Sequence, residues 1–180
     1  IGEEGLVESG NFARPHVRDR LSKTEGDFGP WRATPVKEPY YTIPAAGGVN
    51  ASLLDMTAWL KAQLGAAPAI VPPAVLDLIH TPRTITPSET ARVSSVSPRF
   101  HATQYGLGWR IYNYAGAQVI SHSGTVDGYA AQIAFLPEQD VGVVILSNAR
   151  SRRFWRILPT FLDLELGLPR EDWLEVEAHE

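Results

Sequence analysis

The spacing of hydrophobic and polar residues divides the chain into segments of different character. Residues 1–45 follow neither a helical nor a strand period. Proline recurs through them, at Pro15, Pro30, Pro35, Pro39 and Pro44. Because proline lacks the backbone N–H that helices and central strands require, this segment is predicted to be loop-rich and to pack against something else.

A helical period begins in the region 46–100. Ser52 and Asp55 have the spacing of a capping box, in which each side chain accepts a hydrogen bond from the other residue's backbone. The apolar residues that follow share one helical face: Leu53, Met56, Leu60 and Leu64. Gly65 is a suitable residue to end a helix. The pattern therefore predicts a helix between Ser52 and Gly65.

The remainder of this region divides into a shorter helix and a loop. Pro72-Pro73 can open a helix, and Pro82 can end it. Residues 84–97 are rich in Thr, Ser and Pro and show no apolar period. They are predicted to form a mobile surface loop.

A strand period replaces the helical one from Tyr105 onwards. The predicted strands are 105–113, 118–121, 129–136 and 141–146. Ala115-Gly116 and residues 137–140 are predicted turns. Connections this short join antiparallel neighbours, so residues 105–148 are predicted to form an antiparallel sheet. The last run is almost wholly apolar, which predicts a central strand covered on both faces.

A final helix is predicted over residues 155–167, where apolar residues share a face and Gly167 suits the C-terminal end. Pro159 lies near its beginning, so the helix is expected to start late. Helices that flank an antiparallel sheet make an α+β fold, which is the fold class predicted for the chain.

Composition narrows the classes of function. The 180 residues are 44% hydrophobic and 20% charged, which supports a packed core. The formal net charge is −4 with acids and bases interspersed, so nucleic acid is not an expected partner. No apolar run has the length of a transmembrane segment. The chain lacks cysteine and its histidines lack metal-ligand spacing, so neither a metal nor another cofactor is expected. The sequence assigns no cellular compartment.

One block of residues carries a catalytic resemblance. His122-Ser123-Gly124-Thr125 follows a predicted strand, and Gly128-Tyr129 and Leu146-Ser147-Asn148 come after it. Upstream, Pro44-Ala45-Ala46-Gly47-Gly48 leads into the helix capped by Ser52. In this order the blocks resemble serine β-lactamases, penicillin-binding proteins and their class-C-like esterase and peptidase relatives. The third motif of that superfamily is Lys-Thr-Gly in its best-known members and His-x-Gly in many esterases and peptidases.

The resemblance implies a fold and a role for each motif residue. The fold is an α/β sandwich of the β-lactamase type, in which the motif strand borders the active-site cleft and pairs with an extended substrate. Ser123 and Gly124 would bind substrate, because glycine lets substrate and neighbouring backbone approach without a Cβ. The Thr125 N–H would be one of two oxyanion-hole donors, the other belonging to the nucleophile. His122 would act in catalysis, and a structural histidine is the alternative.

Asp127, Tyr129 and Asn148 are further candidates for substrate binding. The first two lie just beyond the motif, and Asn148 ends the last predicted strand. A turn acid and a strand aromatic explain Asp127 and Tyr129 equally well. For Asn148 the alternative is a helix cap, because asparagine readily accepts hydrogen bonds from the first N–H groups of a helix.

The first catalytic motif of the superfamily, Ser-x-x-Lys, does not occur here, since no serine has lysine at the third following position. Ser9-Gly10-Asn11 matches the second motif formally, but it lies in the proline-rich segment, at the wrong place in the order. We therefore expect the nucleophile to belong to a missing N-terminal half, which would be the principal partner of this C-terminal part. The 180 residues alone are not expected to form an acyl-enzyme.

Histidine at position 122, in place of lysine, changes the substrates that the resemblance implies. Lysine is cationic at neutral pH, whereas histidine with a pKa of about 6.5 is mostly neutral there. This weakens the case for substrates with an obligatory carboxylate. Three activities of a serine hydrolase stay open: esterase, β-lactamase and D-amino-acid-specific peptidase. A non-catalytic binding or scaffold relative of the same fold is the alternative.

Overall fold

The computed structural model of the chain describes residues 3–20, 28–37 and 41–176. The α-helices of these residues are α1 (Glu3–Glu8), α2 (Pro44–Gly47), α3 (Leu53–Gln63), α4 (Pro73–His80), α5 (Pro87–Ser94) and α6 (Ile157–Glu165). The strands are β1 (His16–Val17), β2 (Arg32–Ala33), β3 (Thr84–Ile85), β4 (Phe100–Tyr105), β5 (Arg110–Tyr114), β6 (Ala117–Val126), β7 (Tyr129–Leu136) and β8 (Val141–Ser147).

The main sheet contains β3 to β8 in sequence order, and every neighbouring pair is antiparallel. At the β5–β6 turn, Ala115 and Gly116 have φ values of 49° and 97°, the left-handed backbone that a tight hairpin uses. Strands β1 and β2 form a separate two-stranded ribbon. The predicted antiparallel sheet is therefore confirmed.

Alternate residues of the central strands build a separate core on each face of the sheet. One core lies beneath α5 and α6 and contains Val93, Phe100, Tyr112, Tyr114, Val119, Ala134, Leu136, Leu158 and Leu162. The other lies beneath α3 and α4 and contains Met56, Leu60, Leu64, Ile79, Trp109, Ile111, Ile120, Ile133, Phe135 and Val144. Helices thus cover both faces of one antiparallel sheet, which confirms the α+β fold class.

The start of α3 has the predicted capping box. The Ser52 hydroxyl accepts a hydrogen bond from the Asp55 N–H at 3.2 Å, and the Asp55 carboxylate accepts one from the Ser52 N–H at 2.8 Å. Leu60 and Leu64 contact the core as expected. Leu53, in contrast, is 54% exposed, so the predicted apolar face is one turn too long.

Residues 84–97 form β3 and α5, so the predicted mobile loop is wrong. Their polar side chains are satisfied by neighbours in the fold. The Thr103 hydroxyl on β4 lies 2.7 Å from the Thr86 hydroxyl and 2.9 Å from that of Thr90. Val93 is buried in the core. The segment lacks an apolar stripe because hydrogen bonds to β4, together with Val93, hold α5 on the sheet.

The predicted strand 105–113 is also wrong, since two strands meet within it. Strand β4 starts at Phe100 and ends at Tyr105, and β5 starts at Arg110. Gly108, with a φ of 80°, makes the break between them. Polar residues dominate β4 and hide its strand period, because only part of it is buried.

Strands β6 and β8 differ from their predictions in extent and position. Strand β6 continues to Val126, whereas the prediction ended at Ser121, so residues 122–125 lie within the strand. Strand β8 lies at one end of the described sheet and not at its centre. Its apolar composition has another cause: Val143 and Val144 pack into the cores on opposite faces, so both faces of this terminal strand are covered.

The C-terminal helix agrees with its prediction. A short 3-10 helix, Arg153–Arg156, leads into α6, whose first turn contains Pro159. Gly167, with a φ of 61°, follows the end of the helix. Among the described residues, no helix combines the length and the apolar character needed to cross a membrane.

Candidate active site

Strand β6 carries the motif, and its two halves have different neighbours. The first half, from Ala117 to Ser121, pairs with β5, whose first residue Arg110 lies opposite Ser121. The second half continues to Val126 and pairs with β7. Strand β5 thus begins opposite the residue that precedes the motif, so that, among the described residues, no strand pairs with the second edge of residues 122–125, the open edge of β6.

The register decides which motif residues present their backbone to that edge. In an antiparallel ladder, the N–H and C=O groups of successive residues point to opposite neighbours. The two-residue turn after Val126 directs the N–H and C=O groups of Val126 toward β7. Those of Gly124 and His122, two and four residues earlier, point the same way. Ser123 and Thr125 therefore direct their N–H and C=O groups toward the open edge.

The His122 side chain is half-buried and contacts a tyrosine from another strand. Its Nε2 atom lies 3.3 Å from the Tyr105 hydroxyl, and the two rings meet edge to face. Tyr105 ends β4, two strands away in the sheet, and reaches His122 past the first residue of β5. Burial lowers the pKa of His122 and the Arg110 cation lowers it further, while Glu89 opposes the shift. The imidazole is therefore neutral at neutral pH and can accept a proton.

Charged side chains lie behind this pair. Glu89 of α5 accepts hydrogen bonds from Arg92 at 2.6 and 2.8 Å and from the Tyr112 hydroxyl at 2.9 Å. The Arg92 hydrogen bond lowers the pKa of Glu89, against the opposing effect of burial. Arg110 Nε lies 3.6 Å from the Glu89 carboxylate, and its guanidinium lies 5.6 Å from the centroid of the Tyr105 ring. A fixed pair of opposite charges thus stands beside the tyrosine–histidine contact.

The other end of β6 is tied to the N-terminal segment. Gly128 follows the strand with a φ of 80°, and a Cβ there would lie 2.5 Å from the Cβ of Pro15. The His16 N–H donates to the Asn148 carbonyl at 2.8 Å. The Asn148 side-chain amide donates in turn to the Arg14 carbonyl at 2.9 Å. These contacts hold the segment against the β6–β7 turn and the end of β8.

The motif residues predicted to bind substrate lie together on the open part of β6. Gly124 and Thr125 are exposed, and Ser123 is half-buried. A Cβ on Gly124 would meet no heavy atom of the described chain within 4 Å. The close approach of neighbouring backbone that was expected at Gly124 is therefore absent from the described residues, and a side chain at this position would project into open space.

The remaining candidates have partners within the chain. The Asp127 carboxylate lies 2.5 Å from the Lys37 ammonium group. The Tyr129 hydroxyl donates to the Ala13 carbonyl at 2.7 Å. The helix-cap interpretation of Asn148 is wrong, because no helix of the described residues starts at this position. All three residues join the N-terminal part of the chain to the end of the sheet.

Tyr105, Arg110 and Glu89 are not among the site residues predicted from the sequence. Tyr105 and His122 are 17 residues apart, and their contact depends on where β5 begins. Glu89 fell within the predicted loop. A usable signal was present, since Glu89 and Arg92 have the spacing of an ion pair on a helix.

The arrangement supports proton transfer and hydrogen bonding to an oxyanion. A neutral imidazole can take up a proton, and backbone N–H groups on an open edge can stabilise negative charge. Within residues 3–20, 28–37 and 41–176, no His, Cys, Asp and Glu side chains group in a way that could hold a metal ion.

Known proteins resemble the chain in sequence. The family model described as Beta-lactamase matches residues 8–165. The Unguisins hydrolase ungD' of Aspergillus campestris is 29% identical over 106 residues, which are 59% of this chain and 18% of that protein. The Unguisins hydrolase ungD of Aspergillus violaceofuscus is 26% identical over 159 residues, which are 79% of this chain and 26% of that protein.

A solved structure resembles the chain in fold. The octameric penicillin-binding protein homologue from Pyrococcus abyssi superimposes with a TM-score of 0.69 at 26% sequence identity. The match covers 96% of this chain and 34% of that one. The chain therefore spans between 18% and 34% of the lengths of these similar proteins.

Proposed function

Because the chain belongs to the β-lactamase family, whose model matches residues 8–165, we propose that it supplies the substrate-binding strand of a serine acyl-transfer site. That site would hydrolyse an ester, a β-lactam or a D-amino-acid amide bond. The observation that carries the proposal is the open edge of β6, toward which Ser123 and Thr125 direct their backbone groups beside a neutral His122.

The open edge suits the electrostatic demand of acyl transfer. Attack on a carbonyl produces a tetrahedral intermediate whose oxygen is negatively charged. The Thr125 N–H donates to that oxygen, and loss of one such donor costs about a hundred- to a thousand-fold in rate. The backbone of Ser123 pairs with the substrate as an added strand, which aligns the bond to be broken.

The attacking serine comes from a Ser-x-x-Lys motif outside the 180 residues, which contain none. Its hydroxyl oxygen forms a bond to the substrate carbonyl carbon and its proton passes to a base. The bond from that carbon to the leaving oxygen or nitrogen then breaks, and the leaving atom takes up the proton. Water then attacks the acyl-enzyme and releases the acid. This chemistry requires no cofactor from the chain.

We assign part of these proton movements to His122. Burial and Arg110 keep its pKa below the ordinary histidine value, so it accepts a proton at neutral pH. The Tyr105 hydroxyl, 3.3 Å from Nε2, fixes the orientation of the ring. Tyr105 is thus a positioning residue, and His122 the group that contacts the reacting atoms.

Other parts of the chain shape the site less directly. Gly124 keeps the edge accessible, because it has no side chain to stand between the strand and the substrate. Asp127, Tyr129 and Asn148 act through the contacts that hold the N-terminal segment beside the strand. The names of the fungal relatives, both hydrolases, support hydrolysis as the reaction.

Gly124→Val in the natural-length protein tests this proposal. A Cβ at this position meets nothing in the described chain, and valine favours strands, so the variant should fold. Its side chain would obstruct the edge where the substrate pairs. We expect the wild-type protein to hydrolyse p-nitrophenyl acetate, nitrocefin or D-alanine p-nitroanilide, and Gly124→Val to lose most of that kcat/KM.

Gln118→Val is the matched control, because Gln118 is an exposed residue of β6 in the part that pairs with β5, away from the open edge. It should retain activity. Full activity in Gly124→Val would show that the substrate does not use this edge. A wild-type protein inert toward all three substrates would favour the non-catalytic scaffold.

A further inference from the structure

A cavity of about 830 Å³ lies beside Thr125, at the end of the motif strand opposite His122. Its lining includes four arginines and two aromatic residues: Arg18, Arg20, Arg150, Arg152, Phe28 and Trp31. The β6–β7 turn and the stretch after β8 complete its walls. The volume falls within the range of about 300–1,000 Å³ that small-molecule sites occupy.

The walls of this cavity are held in place by specific contacts. His16 pairs with Ala149 as a parallel bridge, and its N–H donates to the Asn148 carbonyl at 2.8 Å. Pro15 packs so closely against Gly128 that a Cβ would not fit between them. Segments that are distant in the sequence thus form a built recess.

Arg18 is oriented by aromatic rings within the recess. Its guanidinium carbon lies 4.2 Å from the centroid of Phe28 and 4.7 Å from that of Trp31. Stacking of this kind occupies the faces of the guanidinium and leaves its N–H groups at the edge. Those donors match the geometry of a carboxylate.

Asp127 lines the recess and Asp19 is adjacent to Arg18 in the sequence, and both carboxylates are paired with cations. Asp19 accepts hydrogen bonds from Arg32 at 3.0 and 3.2 Å. Asp127 pairs with Lys37 at 2.5 Å. Neither Arg18 nor Arg150 pairs with a carboxylate in the described part of the chain. The recess is therefore positive, although the whole chain has a net charge of −4.

We infer that this recess binds a carboxylate-bearing part of the substrate, with Arg18 and Arg150 contacting the carboxylate and Phe28 and Trp31 contacting the apolar group that carries it. The inference rests on the proposed function, because a substrate on the open edge of β6 passes Thr125 and continues into the recess. At the other end the His122 imidazole is neutral, and the Arg110 cation there is already 3.6 Å from the Glu89 carboxylate. Selection for anions therefore comes from the Thr125 side of the strand.

Calorimetric titration of the natural-length protein tests the inference without hydrolysis. The probes are 3-phenylpropionate and its neutral counterpart 3-phenylpropionamide, which differ in charge and hardly in shape. We expect the acid to bind at least about ten-fold more tightly, since a charge-assisted pair adds roughly this factor. High salt should reduce the difference, because the recess is open to solvent.

Arg18→Gln and Arg150→Gln should each weaken binding of the acid by about ten- to a hundred-fold and leave binding of the amide unchanged. Arg153→Gln is the matched control: Arg153 is exposed, close in sequence and absent from the lining. Arg18→Lys should recover part of the affinity, since it restores the charge but not the planar donors. Equal affinity for acid and amide, or unaffected binding in both glutamine variants, would overturn the inference.

Binding of phenyl phosphate distinguishes a carboxylate site from a phosphate site, since arginine recognises both anions. Phosphate binding tighter than carboxylate binding, lost in the same variants, would contradict the carboxylate assignment. Comparison of p-nitrophenyl hemiglutarate with p-nitrophenyl butyrate links the recess to turnover. Hydrolysis without preference for the acidic ester would overturn this inference and leave the proposed function standing. Charge-selective binding without hydrolysis of either ester would leave this inference standing and contradict the proposed function.

Discussion

The two ends of the motif strand β6 are built in different ways. At the first, His122 is half-buried against Tyr105, with Arg110 and Glu89 behind it. At the other, Thr125 is exposed beside an arginine-lined recess of about 830 Å³. The first end belongs to the packed sheet, and the second is assembled by an N-terminal segment that docks on the sheet.

In the proposed site, this difference separates proton transfer from substrate recognition. A group that transfers protons needs a fixed orientation and a controlled pKa, which a packed sheet provides. A recess that selects a charged part of a substrate needs accessible hydrogen-bond donors. Loop segments can provide these donors, because their residues can change without disturbing the sheet. We therefore expect substitutions at the His122 end to change kcat and those at the Thr125 end to change substrate preference or local stability.

The largest effect is expected for His122→Ala. Removal of the imidazole should lower kcat by about 10²- to 10⁴-fold, the usual range for a positioned acid–base group. In the wild type, protonation of His122 removes its acceptor. Because its pKa is lowered by burial, the rate should fall on the acid side below about pH 6.5, the ordinary histidine value. The pH profiles of kcat for the wild type and for His122→Ala measure both the loss of rate and the fall on the acid side.

His101→Ala is the control, since His101 is an exposed residue of β4. Activity should be normalised to titrated active sites. An unchanged kcat per site in His122→Ala, together with reduced stability, would identify His122 as a structural histidine.

Gly128→Ala should affect the other end of the strand through stability. A non-glycine residue with a φ of 80° costs about 1–3 kcal/mol, and the contact with Pro15 adds to this. Gly116→Ala is the matched control, because Gly116 has a φ of 97° and nothing within 4 Å of a Cβ. Urea unfolding should show the larger loss for Gly128→Ala. Equal losses would mean that the Pro15 contact is unimportant.

Tyr105→Phe should have a moderate effect at the His122 end. The Tyr105 hydroxyl makes a neutral hydrogen bond, which contributes about 0.5–1.5 kcal/mol and corresponds to roughly a two- to ten-fold change in rate. If Tyr105 positions the imidazole, kcat should fall while KM stays the same. A rise in KM at constant kcat would instead indicate contact with substrate.

The smallest expected effects are shifts in the acid limb of the pH profile of kcat, which the opposite charges of Arg110 and Glu89 produce. Arg110→Gln removes a cation that lowers the pKa of His122, so the limb should move to higher pH. Glu89→Gln removes the opposing charge, so the limb should move to lower pH. Measurement of kcat against pH for both variants decides this. Shifts in the same direction would exclude electrostatic control of His122 by this pair.

Local signals in the sequence predicted much of the fold. The capping box at Ser52, the glycine after α6 and the tight turn at Ala115-Gly116 are short-range features, and each lies where it was predicted. Strand β7 has the predicted bounds 129–136. Helix α5 and strand β4 were missed because polar contacts between them replace the apolar period on which the prediction depended.

Less of the candidate site than of the fold could be predicted from the sequence. The motif located His122 and Thr125, but the open edge between them follows from the register of β5, which no spacing records. Tyr105 meets His122 across the sheet, and Arg18 of the docked N-terminal segment lines the same recess as Arg150, which follows β8. Such contacts depend on tertiary packing and become visible only in the folded chain.

Locating the nucleophile that works with β6 tests directly whether the chain supplies the substrate-binding strand of a serine acyl-transfer site. The natural-length protein is treated with a fluorophosphonate, digested, and the labelled serine identified by tandem mass spectrometry. We predict one label, on the serine of a Ser-x-x-Lys motif outside these 180 residues. Stoichiometric label on a serine within them, such as Ser123, would contradict the account, as would an active protein that takes up no label.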